Sequence, residues 1–216
     1  MLEDNQPADV SLRALTLVCT LTPSPEQSSS ELLARQLLDA LSERGVSGPL
    51  VRVVDHDVRP GVQVDMGNGD EWPMIRQQLM AADILVLATP TWLGQPSSVA
   101  QRVLERLDAE LSETDDVGRL LTYGKVAACV VVGNEDGAHH VSSILFQGLN
   151  DVGFTLPAQA VTYWNDQAKG TYRNYKDLDE TPEGVTKTTQ TLAANTVHLA
   201  RLLKAAHYPA PPQSGE

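Results

Sequence analysis

The chain has 216 residues, the size of one large domain or two small ones, and 16 Lys and Arg against 28 Asp and Glu leave it at −12 with neutral histidines. That negative surplus opposes phosphate backbones and anionic membranes, so nucleic acid and membrane surfaces are not expected partners. Apolar residues at 42% and charged residues at 20% suit a packed core and exclude collagenous, low-complexity and wholly disordered classes.

The N-terminal stretch MLEDNQPADVSLR is acidic and lacks the basic start of a secretion signal, so residues 1–11 are expected to be flexible and the protein cytoplasmic. No apolar run approaches the ~20 residues a membrane-spanning helix needs. The first strand is predicted over 12–21, LRALTLVCTL, and a helix over 30–44 from apolar residues at helical spacing, with Gly45 as its stop. A second, valine-rich strand is predicted over 50–58, then a Gly/Pro/Asn/Asp loop over 59–70 and a helix over 72–82. The run DILVLATP, 83–90, is apolar throughout, which suits a strand covered on both faces. A helix over 96–111 follows, with Pro96 near its start. KVAACVVVG, 125–133, is another buried strand, followed by a helix over 140–152 and a last strand beginning in FTLPAQAVTYW, 154–164. A polar loop, 165–184, precedes a helix over 182–207, and the tail 207–216 is expected to be flexible. Cys19 and Cys129 both sit inside apolar strands and read as buried thiols rather than a disulfide or a zinc site.

Strands alternating with helices predict a single α/β domain over 12–206: a five-stranded parallel sheet with helices on both faces. Strand order 2-1-3-4-5 places the reversal beside strand one, so the loops after strands one, three and four converge where ligands bind. The first of these, TLTPSPEQSSSE, offers Thr22, Ser24, Ser28, Ser29 and Ser30 just before a helix. Hydroxyls and free helix N–H groups there suit an oxyanion, while the absence of GxxxxGK[ST] and GxGxxG opposes a nucleoside triphosphate or a dinucleotide. A single phosphate monoester fits best, although Ser28 or Ser29 as a plain helix cap accounts for the same residues. The second loop, TPTWLGQPSS, sets Trp92 beside a glycine turn, where its ring can flank a flat heterocycle and the amides of Leu93 and Gly94 can reach a polar edge. The third, GNEDGAHH, contains residues able to ligate a metal, but adjacent histidines at a helix start point apart and no HExxH spacing occurs. A neutral histidine facing a ring carbonyl is the simpler role. No GxSxG turn is present and no cysteine lies in a loop beside a histidine, which opposes acyl transfer.

Together the three loops resemble those of the flavodoxin-like superfamily, and more closely the FMN-binding, NAD(P)H-dependent oxidoreductases of the FMN reductase type, over roughly 12–206. CTLTPSPEQSSSELLARQLL is similar to that family's phosphate loop. ADILVLATPTWLGQPSSVAQRVLERLD resembles its second flavin loop with a P-x-[YW]-x-G segment, and VVVGNEDGAHHVSSILFQGLNDVGFTLP its third. The resemblance implies a flavodoxin-like three-layer sandwich. It implies phosphate contacts from Thr20, Thr22, Ser28 and Ser29, and isoalloxazine contacts from Pro90, Thr91, Trp92, Leu93 and Gly94. Asn134, Glu135, Gly137 and His140 would close the far side. The first loop departs from the family in lacking an Arg or Lys after its proline. Tyr163, Trp164, Tyr172, Arg173 and Tyr175 form an aromatic stretch expected to be a lid, a dimer contact or a solvated loop. The implied activity is hydride transfer from NAD(P)H through non-covalent FMN to a quinone, flavin or similar small electron acceptor, with no catalytic side chain and no metal, in a homo-oligomer, dimer or tetramer. A flavodoxin-type electron carrier, or an interaction module that has lost its cofactor, are the alternatives.

Overall fold

A strand that is apolar along most of its length has little solvent face, and three such runs become the middle of the sheet. The computed structural model describes residues 11–166 and 172–212. In chain order its elements are β1 (Leu12–Val18), α1 (Ser29–Ser42), β2 (Val46–Ser47), β3 (Leu50–Arg52), α2 (Trp72–Met80) and β4 (Ile84–Trp92). There follow β5 (Gln95–Pro96), α3 (Ser98–Leu107), β6 (Val126–Gly133), α4 (Ala138–Asp151), β7 (Val161–Asn165) and α5 (Glu183–Ala205). The sheet runs β2-β1-β4-β6-β7, with β3 also pairing β1 in parallel and β5 turning back antiparallel on β4. Every residue of β6 is buried.

Alternate side chains of each strand feed two apolar layers. Leu15, Leu17, Leu85 and Leu87 pack with Trp72 and Ile75 of α2, Val103 of α3 and Leu145 of α4. Ala14, Val18, Ile84 and Val86 pack on the other face with Leu33 and Leu37 of α1 and Leu192 and Val197 of α5. The result is the expected three-layer α/β flavodoxin-like fold. Cys19 and Cys129 are both fully buried, and burial pushes both thiols well above the ordinary range.

Several sequence expectations need correcting. The sheet has seven strands rather than five, because the second strand is split and a short hairpin arm is added. Gly48 lies against β1 so closely that a Cβ there would stand 1.6 Å from the Ala14 carbonyl oxygen, and Pro49 has no N–H to donate. Beyond Arg52 the chain turns into a 3₁₀ segment, Val53–Asp55. Val53 and Val58 are still buried, which is why the stretch is rich in valine without being strand. Pro96 lies in β5, and α3 starts after it with Ser97 as its N-cap, accepting from the Ala100 amide. The last strand begins at Val161, since Thr155 makes only an isolated bridge to Val126. Trp164 and Tyr175 are core residues with rings 5.5 Å apart rather than a lid or dimer surface. Within the tail expected to be flexible from 207, the Tyr208 hydroxyl meets Thr155 Oγ1 at 2.9 Å. Residues 1–10 and 213–216, also expected to be flexible, lie outside the described residues, as do 167–171 of the polar loop.

Candidate functional site

The parallel register aligns Val18 with Ala88 and Ala88 with Val130, so the loops after β1, β4 and β6 leave the sheet at one edge. Ser97 locks two of them together: its hydroxyl donates to the Cys19 carbonyl at 2.6 Å and its amide to Thr89 Oγ1 at 3.1 Å. Loop one is held from below by Arg52 and Asp55, neither of which the sequence singled out. Arg52 donates to the carbonyls of Thr22 and Glu26 and pairs with Glu31, while Asp55 accepts from both the amide and the hydroxyl of Ser24. Burial alone would raise the Glu31 carboxyl, but the bonds from Arg52 and Arg35 outweigh it and hold it below the usual carboxylate range.

Above this support lies a cavity of about 250 Å³. Thr20, Thr22, Ser28 and Ser29 border it from loop one, Pro90, Thr91 and Trp92 from the end of β4, and Asn134 from loop three. Leu93, Gly94, Glu135, Gly137 and His140, also expected to face a ligand, do not line it. They build the wall alongside. Leu93 and Gly94 both have positive φ, +51° and +71°, as a two-residue hairpin turn requires, and Leu93 is 90% exposed. The Gly94 amide points to Glu135 Oε1 at 3.4 Å, and Gly137 packs so closely that a Cβ would stand 3.0 Å from Gly94 Cα. His140 Nε2 lies 3.1 Å from Gln95 Nε2. His139 turns away to Tyr163. Among the described residues no group of three His, Cys, Asp or Glu could hold a metal ion.

The cavity's chemistry is that of a donor set. Thr20 Oγ1 accepts from the Thr22 amide, Ser28 Oγ from the Glu31 amide and Ser29 Oγ from the Lys176 amide. Each hydroxyl has a lone pair engaged and its proton free to give. Thr91 is 3% exposed, and its Oγ1 has no hydrogen-bond partner. Among the described residues no Asp or Glu lines the cavity, in a chain of 28 such residues, and the one cation that does is Lys176. Phosphate, polyol hydroxyls and a flat ring are what these residues fit. The sequence reading missed Lys176 and Asn174, which arrive from the segment before α5 together with Tyr175, expected there in a lid, dimer contact or solvated loop. Lys176 is 147 residues from Ser29, and no local pattern links them.

Comparison with known proteins bears on this geometry. A family model described as NADPH-dependent FMN reductase matches residues 15–169. The 8-demethyl-8-aminoriboflavin-5'-phosphate synthase of Streptomyces davaonensis is 34% identical over 92% of this chain and 81% of its own. A crystal structure of RosB with bound intermediate 8-demethyl-8-formylriboflavin-5'-phosphate superposes with a TM-score of 0.84 at 34% identity, over 91% of this chain and 82% of that one. A protein of Mycobacterium bovis named divalent metal cation transporter MntH is 37% identical over 90% of this chain, but this chain spans only 29% of its length. Among the described residues no helix is long and apolar enough to cross a membrane.

Proposed function

The chain belongs to the NADPH-dependent FMN reductase family, and from that membership we propose that it is an FMN-dependent oxidoreductase taking hydride from NADH or NADPH and passing the electrons to a small acceptor such as a quinone or free flavin. FMN, when bound, supplies the redox chemistry. The chain's own residues bind and orient it. Thr20, Thr22, Ser28 and Ser29 give their hydroxyl protons to the phosphate, helped by the first amides of α1, whose dipole adds roughly 0.3–1 kcal/mol. Pro90, Thr91 and Trp92 flank the ring, with Leu93 and Gly94 at its pyrimidine edge. Asn134, Glu135, Gly137 and His140 support the far side. A site of ~250 Å³ falls below the ~300–1,000 Å³ of enclosed ligand pockets, so the outer part of the ring would stay open to a nicotinamide and an acceptor. The reading keeps the cytoplasmic homo-oligomer expected from the sequence.

The observation that carries this reading is the donor-lined cavity at the carboxyl edge of β1, β4 and β6, free of carboxylates among the described residues, in a strongly acidic chain. A second reading, favoured by the 34% identity to an enzyme named for making an aminoriboflavin phosphate, takes the flavin phosphate as substrate. Mixing the FMN-loaded protein with NADPH without oxygen distinguishes them. The oxidoreductase reading expects rapid loss of 450 nm absorbance, recovery on adding a quinone, and FMN of unchanged mass. No bleaching, or FMN altered in mass, contradicts it.

A further inference from the structure

Loop one brings hydroxyls and amides to the cavity but no positive charge, since no Lys or Arg occurs between Thr20 and Glu31. The cations nearest that loop are already engaged: Arg35 and Arg52 both bind the Glu31 carboxylate. Lys176 is different. Its backbone amide donates to Ser29 Oγ at 3.2 Å, and its ammonium makes one long bond, 3.5 Å, to the Gln27 carbonyl. Among the described residues it forms no ion pair, and it borders the cavity beside Ser28 and Ser29.

The segment that carries Lys176 is fixed on both sides of it. Tyr175 is buried, and its hydroxyl donates to Gln36 Oε1 of α1 at 2.6 Å; Gln36 in turn donates to Thr181 at 2.9 Å. Asn134 also donates to Asn174 at 3.4 Å, tying the segment to loop three. The backbone at 176 is thereby held against the first turn of α1 while the ammonium remains free to turn toward an anion. Thr91, whose buried Oγ1 has no hydrogen-bond partner, borders the same cavity.

We propose that Lys176 is the phosphate-recognising cation of this site, supplied from the segment between β7 and α5 in place of the cation that loop one lacks, and that it sets the preference for a flavin monophosphate over the unphosphorylated flavin. The proposal rests on the FMN reading and deepens it. The Lys176 amide also keeps the Ser29 hydroxyl oriented as a donor, so one segment delivers both a charge and a hydrogen bond to the same anion.

The test is a fluorescence titration of wild type, Lys176→Gln and Lys176→Arg with FMN and with riboflavin at low and high salt. The expected result is a roughly tenfold loss of FMN affinity in Lys176→Gln, as for a lost charge-assisted bond, unchanged riboflavin affinity, a flatter salt dependence, and recovery in Lys176→Arg. An FMN-to-riboflavin ratio equal to wild type in Lys176→Gln overturns the proposal while leaving the FMN reading standing. Equal weakening of both flavins overturns it too, since that reports a disturbed segment rather than phosphate recognition. Wild-type protein that binds neither flavin removes the FMN reading and this proposal with it.

Discussion

Ser28 accepts the Glu31 amide as the N-cap of α1 and still has its hydroxyl proton to give. Substitution separates the two roles. Aspartate caps a helix about as well as serine, so Ser28→Asp should melt within a degree or two of wild type, but its carboxylate faces the proposed phosphate and should lower FMN affinity by tenfold or more. Ser28→Ala should cost about 1 kcal/mol of stability through the lost cap. Denaturant unfolding with FMN titration checks both; unchanged FMN affinity in Ser28→Asp would make Ser28 a cap alone. Ser28 and Trp92 were legible because each stands in a short stretch whose composition is unusual for its position. Lys176 was not, because only the folded path of the chain carries it to loop one, and nothing in KDLDE says what lies opposite.

Loop one has little internal structure and takes its shape from β3 and the 3₁₀ segment behind it. Arg52 is 8% exposed, so removing its partner leaves a buried guanidinium with carbonyls only. Glu31→Gln should therefore destabilise by about 3 kcal/mol at pH 7. The Glu31 carboxyl sits below its ordinary value when folded, so its contribution is complete above the unfolded value of about 4.3 and is lost as pH falls through the lower folded one. Urea unfolding of both proteins should show a constant stability gap from pH 8 to about 5 that narrows below about 4; a gap that is absent at pH 7 would show that the pair does not hold the loop. The part of this support beyond Arg52 was misread in the sequence as the far end of a strand. The valines of 50–58 are buried, as β-rich composition suggests, but Gly48 and Pro49 break the ladder, and Asp55 is drawn out to Ser24. The strands β1, β4 and β6 were legible because no alternative to a two-sided burial exists for runs so uniformly apolar.

Across the whole molecule the charge is −12, yet among the described residues the cavity at the carboxyl edge of the sheet has no carboxylate and one lysine. An acidic surface around a donor-lined site disfavours polyanions in general and leaves a local exception for one phosphate. The alternation of strands and helices was enough to anticipate that edge, since a doubly wound sheet brings its loops together where the strand order reverses. It could not anticipate the segment before α5, which crosses that edge and completes the site. A crystal structure of the protein grown with FMN tests the account most directly. The phosphate should lie within hydrogen-bond distance of the Ser28 and Ser29 hydroxyls and the first amides of α1, with the ring against Trp92 and the 90–94 turn. FMN found elsewhere on the protein, or inverted so that its ring meets α1, would contradict it.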